Sequence, residues 1–101
     1  MWFSASILMK PEPKWAQSDD LEWEENIVLI EADDEDQARV LAEEIGRRDE
    51  CEYETIYGEL AWKLNHIAIY AIGDDELRTG TELFSRFLRA SEVASLLTPF
   101  E

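Results

Sequence analysis

The stretch IVLIEADDEDQARVLAEEIG, residues 27–46, decides the fold because it joins a strand to a helix. The run Ile27–Ile30 is apolar at every position, which predicts a strand that is covered on both faces and lies in the middle of a sheet. Asp33 and Asp34 are candidates for the helix N-cap, and Gly46 is expected to end the helix. The apolar residues between them recur at helical spacing: Ala38, Leu41, Ala42 and Ile45.

Strand patterns lie on both sides of this stretch. Residues 2–9 alternate in the sense of a strand, and we expect Pro11 and Pro13 to stop it because proline donates no ladder hydrogen bond. The other predicted strands are residues 21–32, 53–57 and 60–72. Strict alternation along the last of these would place Trp62, Leu64 and His66 on one face.

The C-terminal part of the sequence is less regular. Residues 81–88 fit a fifth strand and fit a helix as well. Residues 93–97 predict a short helix that Pro99 ends. The element order is therefore ββαβββ, which predicts a single α+β domain over residues 1–101. We expect a mainly antiparallel sheet of four to five strands, one amphipathic helix packed on one face, and a short C-terminal helix as an optional further element.

Short sequence pieces spread along the chain carry a family resemblance. In chain order they are Trp2-Phe3-Ser4-Ala5, Glu24-Glu25, Glu31-Ala32, Ala38, Tyr53, Gly58-Glu59, Trp62, Gly80-Thr81-Glu82 and Ser85-Arg86-Phe87. In the order and spacing of these pieces, the chain resembles a small bacterial family known as domain of unknown function 4288, from Trp2 to about Leu88. The family pattern has an Asn shortly after the position of Tyr53, where this chain has Thr55. The resemblance implies one compact bacterial domain and implies no activity.

The charge of the chain limits its partners. It has 24 acidic and 9 basic residues, a net charge of −15, and residues 31–59 alone hold 12 acids and 3 bases. Such a surface repels nucleic acid and anionic lipid and attracts basic proteins. We therefore expect a basic protein as partner, and neither nucleic acid nor membrane. Since no apolar run could span a membrane and Cys51 cannot form an internal disulfide, the sequence predicts a soluble cytoplasmic protein.

Residues that carry catalytic or metal chemistry are few. His66 is the single histidine, and its apolar neighbours predict a half-buried, hydrogen-bonded side chain. Together with Cys51 it supplies two of the four ligands that a structural zinc ion needs. The run Asp33–Asp36 fits a helix start, because the EF-hand loop needs a glycine at its sixth position and this run has none there. We expect no catalytic residue, no metal site and no cofactor; a weak surface site for Ca²⁺ or Mg²⁺ stays open as the alternative.

Aromatic residues are the remaining candidates for a binding site. Trp2, Trp23 and Trp62 fall on predicted strands, and a single helix leaves one sheet face to be covered by the C-terminal segment or by a second subunit. The alternative is a partner-binding groove with an aromatic floor and an acidic rim. The candidate partner-binding residues are Trp2, Trp23, Trp62, Asp33, Glu35, Asp36, Glu43 and Glu44.

The function that the sequence favours is binding without catalysis. We expect a protein-binding or accessory module, of which an inhibitory or immunity-type protein directed against a cationic partner is one specific version. A structural homodimer is the first alternative. A carboxylate-dependent or metal-dependent enzyme is the second, although acids are so abundant that no particular pair of them is diagnostic.

Overall fold

A computed structural model of the chain describes residues 1–15 and 21–97. The elements, in chain order, are β1 (Trp2–Pro13), β2 (Glu24–Glu31), α1 (Glu35–Arg48), β3 (Cys51–Thr55), β4 (Gly58–Ala71) and α2 (Ala90–Leu97). The four strands form one antiparallel sheet in the order β2-β1-β4-β3. The α+β class and the short C-terminal helix are confirmed. The observed order is ββαββα, so the prediction of ββαβββ was wrong in its last strand.

Helix α1 packs on one face of this sheet, which we call the helix face. Phe3, Ala5, Ile7 and Met9 of β1 point to it, and each is at most 2% exposed. Phe3 and Ala5 form a core cluster with small residues of α1 and with the end of β2: Ile30, Ala32, Ala38 and Ala42. The opposite side, which we call the far face, carries the even-numbered residues of β1 from Trp2 to Leu8.

One extra residue in β4 decides which of its side chains reach the core. Leu8 pairs with His66 and Met9 pairs with Leu64, so Asn65 forms a β-bulge. The bulge puts Leu64 and Trp62 on the same face as the odd-numbered residues that follow it, since Ile67 pairs with Ile7. Strict alternation was therefore the wrong prediction for this strand. His66 lies on the far face, where it is exposed and not half-buried.

The predicted fifth strand, residues 81–88, forms neither strand nor helix. Its backbone is tied to a side chain and not to a neighbouring strand, because Ser4 Oγ donates a hydrogen bond of 2.6 Å to the carbonyl oxygen of Leu83. Phe84 also packs its ring on Tyr70, with 5.4 Å between the ring centroids. This segment therefore lies across the far face and covers part of it. The residue predicted to end the last helix, Pro99, lies outside the described residues.

Strand β2 lies at an edge of the sheet, so the prediction that it runs through the middle was wrong. The apolar residues on its two faces pack against different parts of the protein. Val28 and Ile30 pack toward α1, whereas Ile27 and Leu29 lie on the far face beside the segment that contains Leu83. The strand also begins later than predicted, since Leu21 and Trp23 precede it.

Strand β1 continues through both prolines that were expected to stop it. Lys14 N–H donates to the Glu59 carbonyl oxygen at 2.9 Å, so the even-numbered residues at this end of β1 bond to β4. The ring nitrogens of Pro11 and Pro13 therefore point to the other side, where β2 has already ended opposite Met9. No ladder hydrogen bond to β4 is lost at either proline.

Helix α1 begins as predicted and ends later. The Asp34 side chain caps it by accepting the Gln37 N–H at 2.8 Å. The helix then passes through Gly46 and ends at Arg48, with Asp49 as C-cap, so Gly46 does not end it. Gly46 is instead a contact point with the sheet, where an added Cβ would lie 2.8 Å from Cδ1 of Leu64. The absence of a side chain lets the helix approach this closely.

We predict that Gly46→Val lowers the free energy of unfolding by about 1–3 kcal/mol, because the branched side chain overpacks the contact with Leu64 and Ile7. Urea denaturation would measure the loss. Arg48→Val, at an exposed position of the same helix, is the matched control and should cost less than about 1 kcal/mol. Equal stability of Gly46→Val and the wild type would contradict the close contact.

Candidate interaction surface

The far face carries an apolar groove between β2 and the C-terminal segment. Ile27 and Leu29 form one wall and Leu77 and Leu83 the other, with Ser4 among the lining residues. The four apolar side chains are 38–45% exposed. The groove has a volume of about 320 Å³ and is called here the far-side groove. Half-exposed apolar side chains that line one recess are a feature of binding surfaces.

A second groove lies on the other side of β2. Leu41 and Ile45 of α1 form its apolar part, and Glu44 and Arg48 are charged residues in its lining. Its volume is about 500 Å³, and we call it the helix-side groove. The outer edge of β2 thus has a recess on each side.

The three candidate tryptophans do not form one patch. Trp2 lies on the far face, at the end of β1 where it pairs with Glu31. Trp62 lies on the helix face, pairs with Pro11, and donates its Nε1–H to the Tyr53 hydroxyl at 3.0 Å. The two are therefore on opposite sides of the sheet and about 30 Å apart along β1 at ~3.3 Å per residue.

Trp23 lies just before β2 and is 47% exposed. Lys10 Nζ is 5.8 Å from the centroid of its ring, which is within the range of a cation–π contact. Its placement outside the strand differs from the sequence prediction. Of the three candidates, Trp23 is the most available to a partner, because Trp2 and Trp62 are each partly buried.

The five candidate acids all lie exposed on or just before α1. They are Asp33, Glu35, Asp36, Glu43 and Glu44. Two of them face arginines one turn away: Glu35 Oε1 is 3.9 Å from Arg39 Nη2, and Glu43 Oε1 is 3.9 Å from Arg47 Nε. The sheet lies between α1, which carries four of these acids, and the far face, and Glu44 is the member that borders a groove. Sequence reasoning missed the groove residues, because it assigned Ile27–Ile30 to the buried middle of a sheet.

Glu50 caps a backbone group that β3 leaves without a strand partner. β3 pairs with β4 only as far as Trp62, and the Glu50 carboxylate accepts the Leu64 N–H just beyond, at 3.0 Å. This hydrogen bond, supported by the charges of Arg47 and Lys63, lowers the pKa of Glu50. Further along the same edge, Arg39 Nη1 donates to the Ile67 carbonyl oxygen at 3.3 Å.

Lys14 ties the end of β1 to the β3–β4 hairpin. Its Nζ lies 2.6 Å from Glu52 Oε1 and 3.3 Å from Glu59 Oε2. These hydrogen bonds raise the pKa of Lys14, and the bond to Lys14 lowers the pKa of Glu52. The Lys14 ammonium group is thereby paired with two carboxylates of the same chain.

The residues with catalytic potential are not gathered together. His66 lies on the far face, whereas Cys51 pairs with Trp62 of the helix face. Among the described residues, no group of three or more His, Cys, Asp or Glu side chains is placed to hold a metal ion. No helix within residues 1–15 and 21–97 combines the length and apolar content needed to cross a membrane.

We predict that Glu50→Gln destabilises the protein at neutral pH and that the difference from wild type shrinks in acid. The folded state lowers the pKa of Glu50 below its unfolded value of about 4.3, so its charge stabilises the fold above that pH. This contribution is lost as the pH falls through the lower, folded-state value. Glutamine keeps an acceptor for the Leu64 N–H, so the variant isolates the charge.

Denaturant titrations of wild type and variant at a series of pH values from 7 downward would measure this difference. Glu54→Gln, at an exposed position of β3, is the control and should show a smaller pH-dependent difference. A Glu50→Gln difference that stays constant across the series would show that the charge of Glu50 contributes nothing.

Comparison with known proteins identifies a family. No curated protein and no solved structure shows significant similarity to the chain. Residues 2–85 match a family described as Domain of unknown function (DUF4288). The matched residues include all four strands, α1 and most of the segment that covers the far face, whereas α2 lies beyond them. The resemblance stated from the sequence is therefore confirmed, and the chain belongs to the DUF4288 family.

Proposed function

We propose that this protein is a non-catalytic binding module that docks a basic protein at β2 and its two grooves. The observation that carries the proposal is the far-side groove, in which Ile27, Leu29, Leu77 and Leu83 stay half-exposed in a chain of net charge −15. Apolar recesses with polar borders support docking, because burial of the apolar surface supplies affinity.

The negative charge of the chain favours a basic partner over a neutral one. Residues 31–59 hold 12 acids and 3 bases, and two of those bases, Arg39 and Arg47, lie within 4 Å of carboxylates on α1. The field around residues 31–59 is therefore negative, and such a field speeds the approach of a positive protein. An inhibitory or immunity-type role, in which this chain covers a functional surface of a cationic protein, is the specific form that we favour.

The partner would be obtained by affinity capture from a lysate of the native host at low salt, followed by elution in a salt gradient. The wild type and Leu29→Asp, which places a charge in the far-side groove, would be used side by side. We expect a stoichiometric basic protein on the wild type and its loss on the variant. Retention of the same protein by both would remove the far-side groove from the proposal.

We predict that Asp33→Lys/Asp36→Lys/Glu44→Lys slows association with that partner about tenfold or more at low salt, and far less at high salt. These three substitutions leave the Asp34 N-cap and the ion pairs of Glu35 and Glu43 in place. Stopped-flow or biosensor measurement of the association rate at two salt concentrations is the test.

The matched control, Glu12→Lys/Glu54→Lys/Glu92→Lys, changes the net charge equally at positions away from α1. It should slow association less. Equal slowing by both triple variants would mean that total charge, and not the acid of α1, steers the encounter. An unchanged rate in the α1 variant would refute steering altogether.

A further inference from the structure

The backbone polarity of β2 follows from one hydrogen bond. Ala32 N–H donates to the Met1 carbonyl oxygen at 2.9 Å, so these two residues form a pair of the hydrogen-bonded kind. Such pairs alternate along an antiparallel ladder, so the even-numbered residues of β2 bond to β1. The residues whose N–H and C=O groups point to the outer edge are Glu25, Ile27, Leu29 and Glu31. Within residues 1–15 and 21–97, no strand lies beyond them.

The parts of β1 and β4 that extend past their neighbouring strands carry features that hinder the addition of a strand. Pro11 and Pro13 remove the outward N–H groups from the part of β1 that extends past β2. The side chains of Glu50 and Arg39 occupy outward groups of β4. By contrast, β2 contains no proline, and no side chain of the described residues bonds to its outward backbone groups. In the described part of the chain, the β2 edge is thus left open.

Both sides of an added strand would find a recess. A new strand would lie about 4.8 Å from β2, with its side chains alternating between the two faces. One set would enter the far-side groove over Ile27 and Leu29. The other set would enter the helix-side groove beside Leu41 and Ile45. Backbone pairing and apolar burial therefore coincide at this edge, as in other cases of strand addition.

The far-face side chains of β2 define the chemistry of the strand that fits. Along the edge they are acid, apolar, apolar, acid: Glu25, Ile27, Leu29 and Glu31. Opposite charges that face each other across an antiparallel pair are favourable. Two basic residues, Arg48 and Arg78, also border the grooves. The charge of Arg78 is offset by an Asp74 carboxylate, which lies 3.9 Å from its Nε. The complementary strand has two apolar residues at alternate positions, with Lys or Arg two positions outside each.

A second copy of this chain fits the edge less well in the register that buries both apolar residues of each copy. In the two-fold arrangement that pairs Ile27 of one copy with Leu29 of the other, Glu25 of each copy faces Glu31 of the other. Like charges in directly opposite positions are destabilising. Two chains of net charge −15 also repel each other at low salt.

We propose that β2 binds a basic, extended segment of the partner protein as an added antiparallel strand. This inference rests on the proposed function and specifies its mode of binding. The bound segment follows the pattern basic, any, apolar, any, apolar, any, basic, with its backbone bonded to the outward groups of Ile27 and Leu29.

The first test uses a synthetic peptide, Lys-Thr-Val-Leu-Val-Thr-Lys, labelled with fluorescein and titrated with the full chain at low salt. We expect saturable binding, weakened about tenfold or more when both lysines are replaced by glutamate. In Glu25→Lys/Glu31→Lys the preference should reverse. No saturable binding, or the same preference in the variant, would overturn the proposal.

The second test asks whether the peptide backbone is bound. In the proposed pairing the two valines face Ile27 and Leu29, so their N–H groups donate to β2 while the N–H of the central leucine points away. N-methylation of the first valine should weaken binding about tenfold or more, and N-methylation of the leucine should have little effect. Equal affinity of the two methylated peptides would show that the peptide does not bind as a strand.

A protein variant separates this inference from the proposed function. Ile27→Pro removes an outward N–H but leaves the bonds from β2 to β1 intact, because those come from even-numbered residues. A thermal melt would confirm that it folds, and strand addition requires it to bind the captured partner about tenfold or more weakly. Wild-type affinity in Ile27→Pro, with slower association in the α1 variant, would refute strand addition and leave the basic partner standing.

Two further outcomes are informative. Binding of the peptides as expected, with no basic protein captured from the lysate, would support the strand site and refute the proposed partner. A wild-type dimer that Ile27→Pro dissociates would show that a second copy occupies the edge, and this would overturn the proposal.

Discussion

The pairing of β1 with β4, interrupted by the single extra residue Asn65, is the constraint on which the rest of the structure depends. β4 is a strand of 14 residues, and its apolar side chains change from even to odd positions along its length. Without the bulge, either Leu64 and Trp62 or Ile67 and Ile69 would leave the helix face. The bulge keeps both groups on the helix face, and it leaves His66 exposed on the far face.

The edges of the sheet show how the chain controls pairing. At the far end of β1, two prolines carry no N–H to offer, and beyond the end of β3 the side chains of Glu50 and Arg39 bond to the backbone of β4. The prolines and the two side chains differ in chemistry, yet each of them removes or occupies backbone groups that a strand from another chain would need. In the proposed strand addition, the acids along β2 act in another way, since they would select a partner by charge and leave the backbone accessible.

Much of the fold was predictable, and the errors have physical reasons. The N-cap at Asp34 and the spacing of Ala38 and Ala42 carry local signals, so α1 was placed correctly at its start. β1 can continue through Pro11 because the backbone nitrogen at this position points away from β4. The sequence does not show this direction until the partner strand and its register are known. Gly46 was predicted to end the helix because glycine is common at that position. Its actual role is a close tertiary contact with Leu64, which the local sequence does not reveal.

The candidate surface was harder to predict than the fold. The acids of α1 are exposed as expected, because their helical periodicity fixes their side. The groove residues Ile27 and Leu29 were assigned to a buried strand, because an apolar run has the same pattern whether a sheet or an irregular segment covers it. Trp2 and Trp62 fall on opposite faces because the bulge shifts the alternation of side chains along β4. The same shift made the prediction of strict alternation wrong.

The position of β4 in the chain has a consequence for how the protein reaches its native state. The centre of the sheet joins Phe3 to Ala71 and Pro13 to Leu60, so its closure requires contacts between distant parts of the sequence. Contacts of this kind form late and slowly, because a long loop must be closed first. While β4 is still being synthesised, β1 has β2 as its sole strand neighbour, and its opposite side is unpaired. During this interval the unpaired side of β1 is accessible to chaperones, proteases and other unfolded chains, and the interval ends when β4 docks.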